Sequence, residues 1–228
     1  MLKTIFFDLD DTLLDFTRSE AAALKRTLTE IGAPANSAVL HRYHIINASQ
    51  WKLLERGELT RDEVLTRRFA LLFDELGLRY SAESVCMQYE EYLKEGHWLL
   101  PGIPELLDIL APRYDLYIVS NGSTAVQNCR LDASGLRPWF RRIFISEEIG
   151  FDKPSVNFFA ACFAAVPDFS KETALIVGDS LTADIQGGRD AGLQTCWFNP
   201  TGKSPQGGIQ PDYEITALEE LPDLLASL

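Results

Sequence analysis

The feature that most constrains this chain is a series of short apolar runs, most of which stop at polar or glycine residues. They are Thr4–Phe7, Leu116–Val119, Ile143–Ile145, Ala174–Val177 and Thr195–Phe198. Runs that are apolar at consecutive positions, with no polar residue in alternation, predict strands covered on both faces. From the second run onward, stretches of helical length separate them, as crossover connections between parallel strands require. The expected fold is therefore α/β, a Rossmann-like, doubly wound parallel sheet. Ligands of such sheets bind beyond the carboxyl ends of the strands, so the residues that follow each run are where chemistry is expected.

Residues 15–98 have a different texture and no convincing strand. Thr17-x-x-Glu20 and Thr60-x-x-Glu63 match capping boxes, and Gly32, Gly57, Gly77 and Gly96 fall where helices should stop. Leu65, Phe69, Leu72 and Leu76 keep helical spacing. About four helices in a small bundle are expected. Pro101-Gly102 marks the return to the sheet. The expected organisation is a catalytic core of residues 1–14 and 99–228, with a helical cap, 15–98, inserted after the first strand.

The strand tips carry the chemistry. The first delivers Asp8-Leu9-Asp10-Asp11-Thr12. Carboxylates at i and i+2 on a turning chain can converge, and then need a cation or a shared proton. An Asp-rich turn is by itself as readily a solvated loop. The second tip, Ser120-Asn121-Gly122, offers a hydroxyl and free amides suited to phosphate oxygens. After the third run comes Asp152-Lys153-Pro154; Lys153 could meet a phosphate, although a lone lysine is more often simply solvated. The fourth ends in Gly178-Asp179-Ser180, then Asp184 and Gly187-Gly188. Asp179 is an oxygen ligand for a hard cation. Asp184 either approaches the ion through water, holds Lys153, or is a first-turn carboxylate favoured by the helix dipole.

In their order and at strand ends, Asp8-x-Asp10-x-Thr12, Ser120, Lys153 and Gly178-Asp179 with Asp184 resemble the four motifs of the haloacid dehalogenase superfamily. The inserted helices occupy the place of that family's C1 cap. Four further segments are similar to one branch, bacterial 5′-nucleotidases acting on pyrimidine nucleoside monophosphates. They are Glu95-Gly96-His97, Ser146-Glu147-Glu148-Ile149-Gly150 with Lys153-Pro154, Gly178 through Gly188, and Ala191-Gly192-x-x-Thr195-Cys196-Trp197. The resemblance implies a phosphomonoester hydrolase in which Asp8 is the nucleophile that becomes an aspartyl-phosphate, and Asp10 is the general acid and base. It implies Mg²⁺ held by Asp8, Asp179 and the backbone carbonyl of Asp10. It further implies phosphate contacts from Ser120, the amide of Asn121 and Lys153, with Thr12 steadying the loop. The dehalogenases of the superfamily typically lack the second aspartate, so its presence favours phosphatase chemistry.

Candidate cap contacts to the substrate are Phe16 at the hinge, and Asn47 and Trp51 on the second cap helix, by hydrogen bonding and stacking. A bundle seam with a satisfied amide and a core tryptophan is the favoured reading of the last two. The expected partner is a small phosphorylated metabolite, foremost a nucleoside monophosphate; a sugar phosphate, or a mutase acting on one, is the alternative. A phosphate-binding protein without catalysis would usually lack the nucleophile, the acid or a metal ligand, and all are present. The net charge of −12 argues against a nucleic acid polymer as partner. No apolar run approaches membrane-spanning length, and the four scattered cysteines are expected to be buried, reduced thiols. The expected compartment is the cytoplasm, and the expected state a monomer or homodimer.

Overall fold

The structure is a computed structural model, and it describes residues 2–205 and 207–228. The chain divides into two compact units, Met1–Asp15 with Leu99–Leu228, and Phe16–Trp98.

In the first unit, the described residues form one six-stranded sheet in the order β3-β2-β1-β4-β5-β6. The strands are β1 (Thr4–Phe7), β2 (Asp115–Ser120), β3 (Arg142–Ile145), β4 (Ala174–Gly178), β5 (Gln194–Phe198) and β6 (Tyr213–Ile215). All neighbours are parallel, with Thr4 opposite both Asp115 and Ala174 across the two central ladders. The sheet is thus doubly wound outward from β1, and the order reverses between β1 and β4. Such a switch point opens a crevice at the carboxyl ends. The sixth strand was not anticipated: three residues long, at the sheet edge and only partly buried, Tyr213-Glu214-Ile215 lacks the continuous apolar signal of the others.

In the second unit, four helices are present among the described residues: α1 (Phe16–Glu30), α2 (Ser37–Glu55), α3 (Arg61–Leu76) and α4 (Ala82–Leu93). Their starts follow from side-chain oxygens that take up free first-turn amides. Asn36 accepts from the Val39 N–H, Ser81 from the Ser84 N–H, and Thr60 and Glu63 form a reciprocal capping box. The second expected box is not one. Helix α1 already begins at Phe16, so Thr17 lies within its first turn, and Glu20 turns into the bundle. Tyr43, Phe69 and Tyr89 fill the bundle centre with ring centroids 5.1–5.8 Å apart, a separation at which aromatic rings attract.

The remaining helices of the first unit are α5 (Ile103–Leu110), α6 (Thr124–Ser134), α7 (Ser146–Ile149), α8 (Val156–Ala164), α9 (Gly187–Ala191) and α10 (Leu221–Ala226). The two-residue period of the strands divides their side chains between the faces. Ile5, Phe7, Leu116, Ile118, Leu175 and Val177 pack with residues of α5, α6 and α10. Phe6, Tyr117, Val119 and Ile176 pack with residues of α8 and α9. Burial on both faces holds the strand ends rigidly, as a site made of strand tips needs. Cys86, Cys162 and Cys196 are buried free thiols, but Cys129, also free, is exposed on α6, against the expectation that all four are buried. No helix among the described residues is long and apolar enough to cross a membrane.

Candidate active site

Strand β1 runs straight into the site. The Asp8 N–H still joins the ladder, donating to the Val177 carbonyl at 2.9 Å, so the first residue beyond the strand is held by the sheet. Its carboxylate accepts from the Thr12 hydroxyl at 3.3 Å and from Lys153 Nζ at 2.6 Å. Asp11 takes a positive φ of 56°, the bend that turns the chain back toward Thr12.

Lys153 is 1% exposed. Its ammonium donates to Asp8 Oδ1 at 2.6 Å, Asp184 Oδ1 at 2.7 Å and the Val119 carbonyl at 2.8 Å. An ammonium has three protons, so these three acceptors account for all of them. Asn121 fastens the backbone of the same lysine. Its amide donates to the Lys153 carbonyl and accepts from the Lys153 N–H, each at 2.8 Å, a side-chain imitation of a strand pair.

Beyond β4, Ser180 opens a π-helical turn over Leu181–Gln186. The turn brings Asp184 back against the strand end, where Oδ2 accepts from the Ser180 N–H at 3.1 Å. Only glycine fits at 178, since a Cβ there would lie 2.3 Å from Asp184 Oδ2. Of the readings open for Asp184, the geometry therefore shows a direct bond to Lys153. Asp179, anchored through its carbonyl to the Trp197 indole N–H at 2.8 Å, completes a cluster. One carboxylate oxygen from each of Asp8, Asp179 and Asp184 lies within 4.8 Å of the others.

Three carboxylates face one ammonium, and the imbalance appears in their proton affinities. Burial, with Asp184 and Asp10 adding to it against the opposing pull of Lys153, pushes the Asp8 carboxyl from an ordinary 3.8 up to about 7. Burial, then Asp8 and Asp184, push Asp179 well above the carboxylate range. Burial disfavours the charge on Lys153, but the Asp184 and Asp8 carboxylates outweigh it and hold the ammonium above its usual value. Such a cluster is stable in ionised form only with a further cation, and three convergent oxygens suit a hard divalent one.

The Asp10 carboxylate lies outside this cluster, held by two residues of α6 that were not anticipated. Arg130 Nη1 donates to Asp10 Oδ1 at 2.5 Å, and Gln127 Nε2 donates to Oδ2 at 2.7 Å. Gln127 Nε2 also donates to the buried Ser120 Oγ at 2.8 Å. The sequence signal for this pair is faint. Gln127 and Arg130 share one helix face, but a lone helical arginine ordinarily points to solvent.

The expected cap contacts lie in the second unit. Phe16 opens α1. Asn47 is buried, and its amide serves the bundle interior: Nδ2 donates to Glu20 Oε1 at 2.7 Å, while Oδ1 accepts from Trp51 Nε1 and Arg68 Nη1, both at 3.1 Å. Trp51 is half-buried, with its indole N–H committed to Asn47.

Strand tips from a parallel sheet, an acidic cluster around a buried lysine and an inserted helical unit define a hydrolase fold. The chain belongs to the haloacid dehalogenase-like hydrolases, whose family model matches residues 2–192. Within that family it is 44% identical to the hydrolase YfnB of Bacillus subtilis. The magnesium-bound crystal structure of YfnB superposes with a TM-score of 0.94, covering 98% of each chain. It is 41% identical to the pyrimidine 5′-nucleotidase PynA of Streptococcus pneumoniae, over 98% of this chain and 94% of that one. It is 30% identical to the pyrimidine 5′-nucleotidase YjjG of Escherichia coli, over 97% of this chain and 96% of that one.

Proposed function

We propose that this chain is a magnesium-dependent phosphomonoester hydrolase that works through an aspartyl-phosphate on Asp8, with pyrimidine nucleoside 5′-monophosphates as its substrate class. The observation that carries the chemistry is the convergence of the Asp8, Asp179 and Asp184 carboxylates, two of them bonded to Lys153, with Asp10 held beside them by separate partners. The substrate class is supported by likeness to two pyrimidine 5′-nucleotidases over nearly the whole chain.

Phosphate monoesters resist hydrolysis because a nucleophile must approach an anion and the leaving alkoxide is poor. In the proposed sequence, an Asp8 oxygen attacks phosphorus and the bond to the ester oxygen breaks. Asp10 gives its proton to that departing oxygen. Asp10 then takes a proton from a water that attacks the acyl-phosphate, and the phosphorus–Asp8 bond breaks to release phosphate. Lys153, with its protons already taken by protein acceptors, contributes by charge and by fixing Asp8. The Ser120 hydroxyl and the Asn121 N–H would meet phosphoryl oxygens as charge shifts onto them. Carboxylates of Asp8 and Asp179, with the Asp10 carbonyl, would hold Mg²⁺, and Asp184 would neighbour it. The ion supplies positive charge that offsets repulsion between nucleophile and phosphate.

The test is phosphate release from UMP, dUMP and dTMP beside a panel of sugar phosphates, with magnesium and with a chelator. Magnesium-dependent turnover that favours the pyrimidine nucleotides supports the assignment. Equal, feeble rates across the panel would end the nucleotide assignment, and magnesium-independent turnover would end the mechanism.

A further inference from the structure

Helix α6 carries a fully buried arginine, 0% exposed, whose ion-pair partner Asp10 is 25% exposed. A guanidinium without solvent needs an anion and a set of acceptors. Arg130 Nη1 uses Asp10 Oδ1 at 2.5 Å and Gln127 Oε1 at 2.8 Å. Gln127, also buried, turns the other end of its amide to Asp10 Oδ2 and Ser120 Oγ, at 2.7 and 2.8 Å. Charge fixes the sense of this amide. Reversed, its oxygen would face the Asp10 carboxylate, and its NH₂ would face the guanidinium. Gly122 makes room for it, since a Cβ at 122 would lie 2.6 Å from Gln127 Nε2.

The geometry points to Arg130, acting with Gln127, as a positioning residue that presents the Asp10 carboxyl and the Ser120 hydroxyl to a single phosphoryl group. The inference rests on the proposed phosphatase reading and adds to it the device that aligns its acid with its phosphate contact. Each Asp10 oxygen accepts one bond from α6 and keeps a second lone pair, on which a proton can be carried or released. Ser120 accepts from Gln127, so its own proton is left to be donated outward. One side chain therefore sets the direction of both groups. This positioning matters because a general acid works only within hydrogen-bond reach of the leaving oxygen.

The test exploits leaving groups. A nucleoside monophosphate expels an alkoxide that needs protonation, whereas p-nitrophenyl phosphate expels a stable phenolate that barely does. In kcat/KM, which reports phosphorylation of Asp8, Arg130→Met is expected to lose about 10²-fold on the nucleotide and less than about 10-fold on the aryl ester. Asp10→Asn should show the same bias. In kcat, both substrates should fall together where water activation limits turnover. Arg130→Lys, which restores the cation, should recover most of the loss. Gly122→Ala, which displaces Gln127 without altering either group it holds, should reproduce the bias in milder form and carries the test if Arg130→Met does not fold. Equal losses in kcat/KM on both esters, in a protein that melts like wild type, would reduce the pair to scaffolding and overturn the inference. If Asp8→Asn turns over like wild type, the aspartyl-phosphate reading itself fails; an active wild type with uniform variant losses in kcat/KM sinks this inference alone.

Discussion

Two buried polar networks, one in each unit, use the same kinds of residue and reach opposite balances. At the strand tips, Asp8, Asp179 and Asp184 confront the single ammonium of Lys153, and the carboxyls of Asp8 and Asp179 are driven upward. Inside the helical bundle, Glu20, Asn47 and Arg68 form a chain from carboxylate through amide to guanidinium, one negative charge for one positive. His44 and Trp51 add their ring nitrogens to it. A balanced network can close on itself and hold a bundle in one packing. An unbalanced one is completed only by something from outside the chain. The difference between structure and site is thus one of unpaid charge, since burial is common to both.

The largest expected effect breaks the unbalanced network at its nucleophile. Asp8→Asn should lower phosphate release by about 10⁴-fold or more, measured as kcat on a nucleotide substrate, because no covalent intermediate can form. Substantial residual turnover would remove Asp8 from the chemistry.

Next comes proton and metal linkage. With Asp8 raised from 3.8 to about 7, the metal-free folded protein holds a proton that the unfolded chain releases between those values. The site should therefore cost stability progressively as pH rises from about 4 to about 7. Magnesium competes with that proton, so the stabilisation it confers should grow across the same window. Thermal midpoints at pH 5, 6, 7 and 8, with and without magnesium, check the sign. An increment from magnesium that is the same at pH 5 and pH 8 would contradict it.

In the balanced network the penalty should be one of stability. Asn47→Ala leaves Glu20, Arg68 and the Trp51 N–H each short of a partner in the bundle interior. A loss of about 1–3 kcal/mol is expected in urea unfolding. An unchanged midpoint with a raised KM for nucleotides would instead place Asn47 among the substrate contacts. The smallest effect is expected where no buried charge is involved. Asn36→Ala removes the Oδ1 that accepts from the Val39 N–H and should cost about 1 kcal/mol.

Much of this protein is legible in its residues. Five of the six strands among the described residues announce themselves, because strands covered on both faces must be apolar throughout; the partly buried edge strand Tyr213–Ile215 does not. The Thr60 box is readable because a cap is a local bond between neighbours in sequence, whereas Thr17-x-x-Glu20 has the same pattern without the cap. Glu20 was taken instead by Asn47, 27 residues away.

The acidic and basic residues at the strand tips were likewise visible by position, since a parallel sheet delivers every strand end to one edge. Their bonds were not. That all three Lys153 protons go to Asp8, Asp184 and Val119, that Asn121 clamps the lysine backbone, and that Arg130 reaches Asp10 across 120 residues depends on which helix face packs where. Periodicity and propensity are properties of neighbours along the chain, and they determined the elements and the list of reactive groups. Which groups pair, and which charge remains unpaired, is decided by contacts between distant residues at distances of about 3 Å. Only the packed tertiary structure sets those.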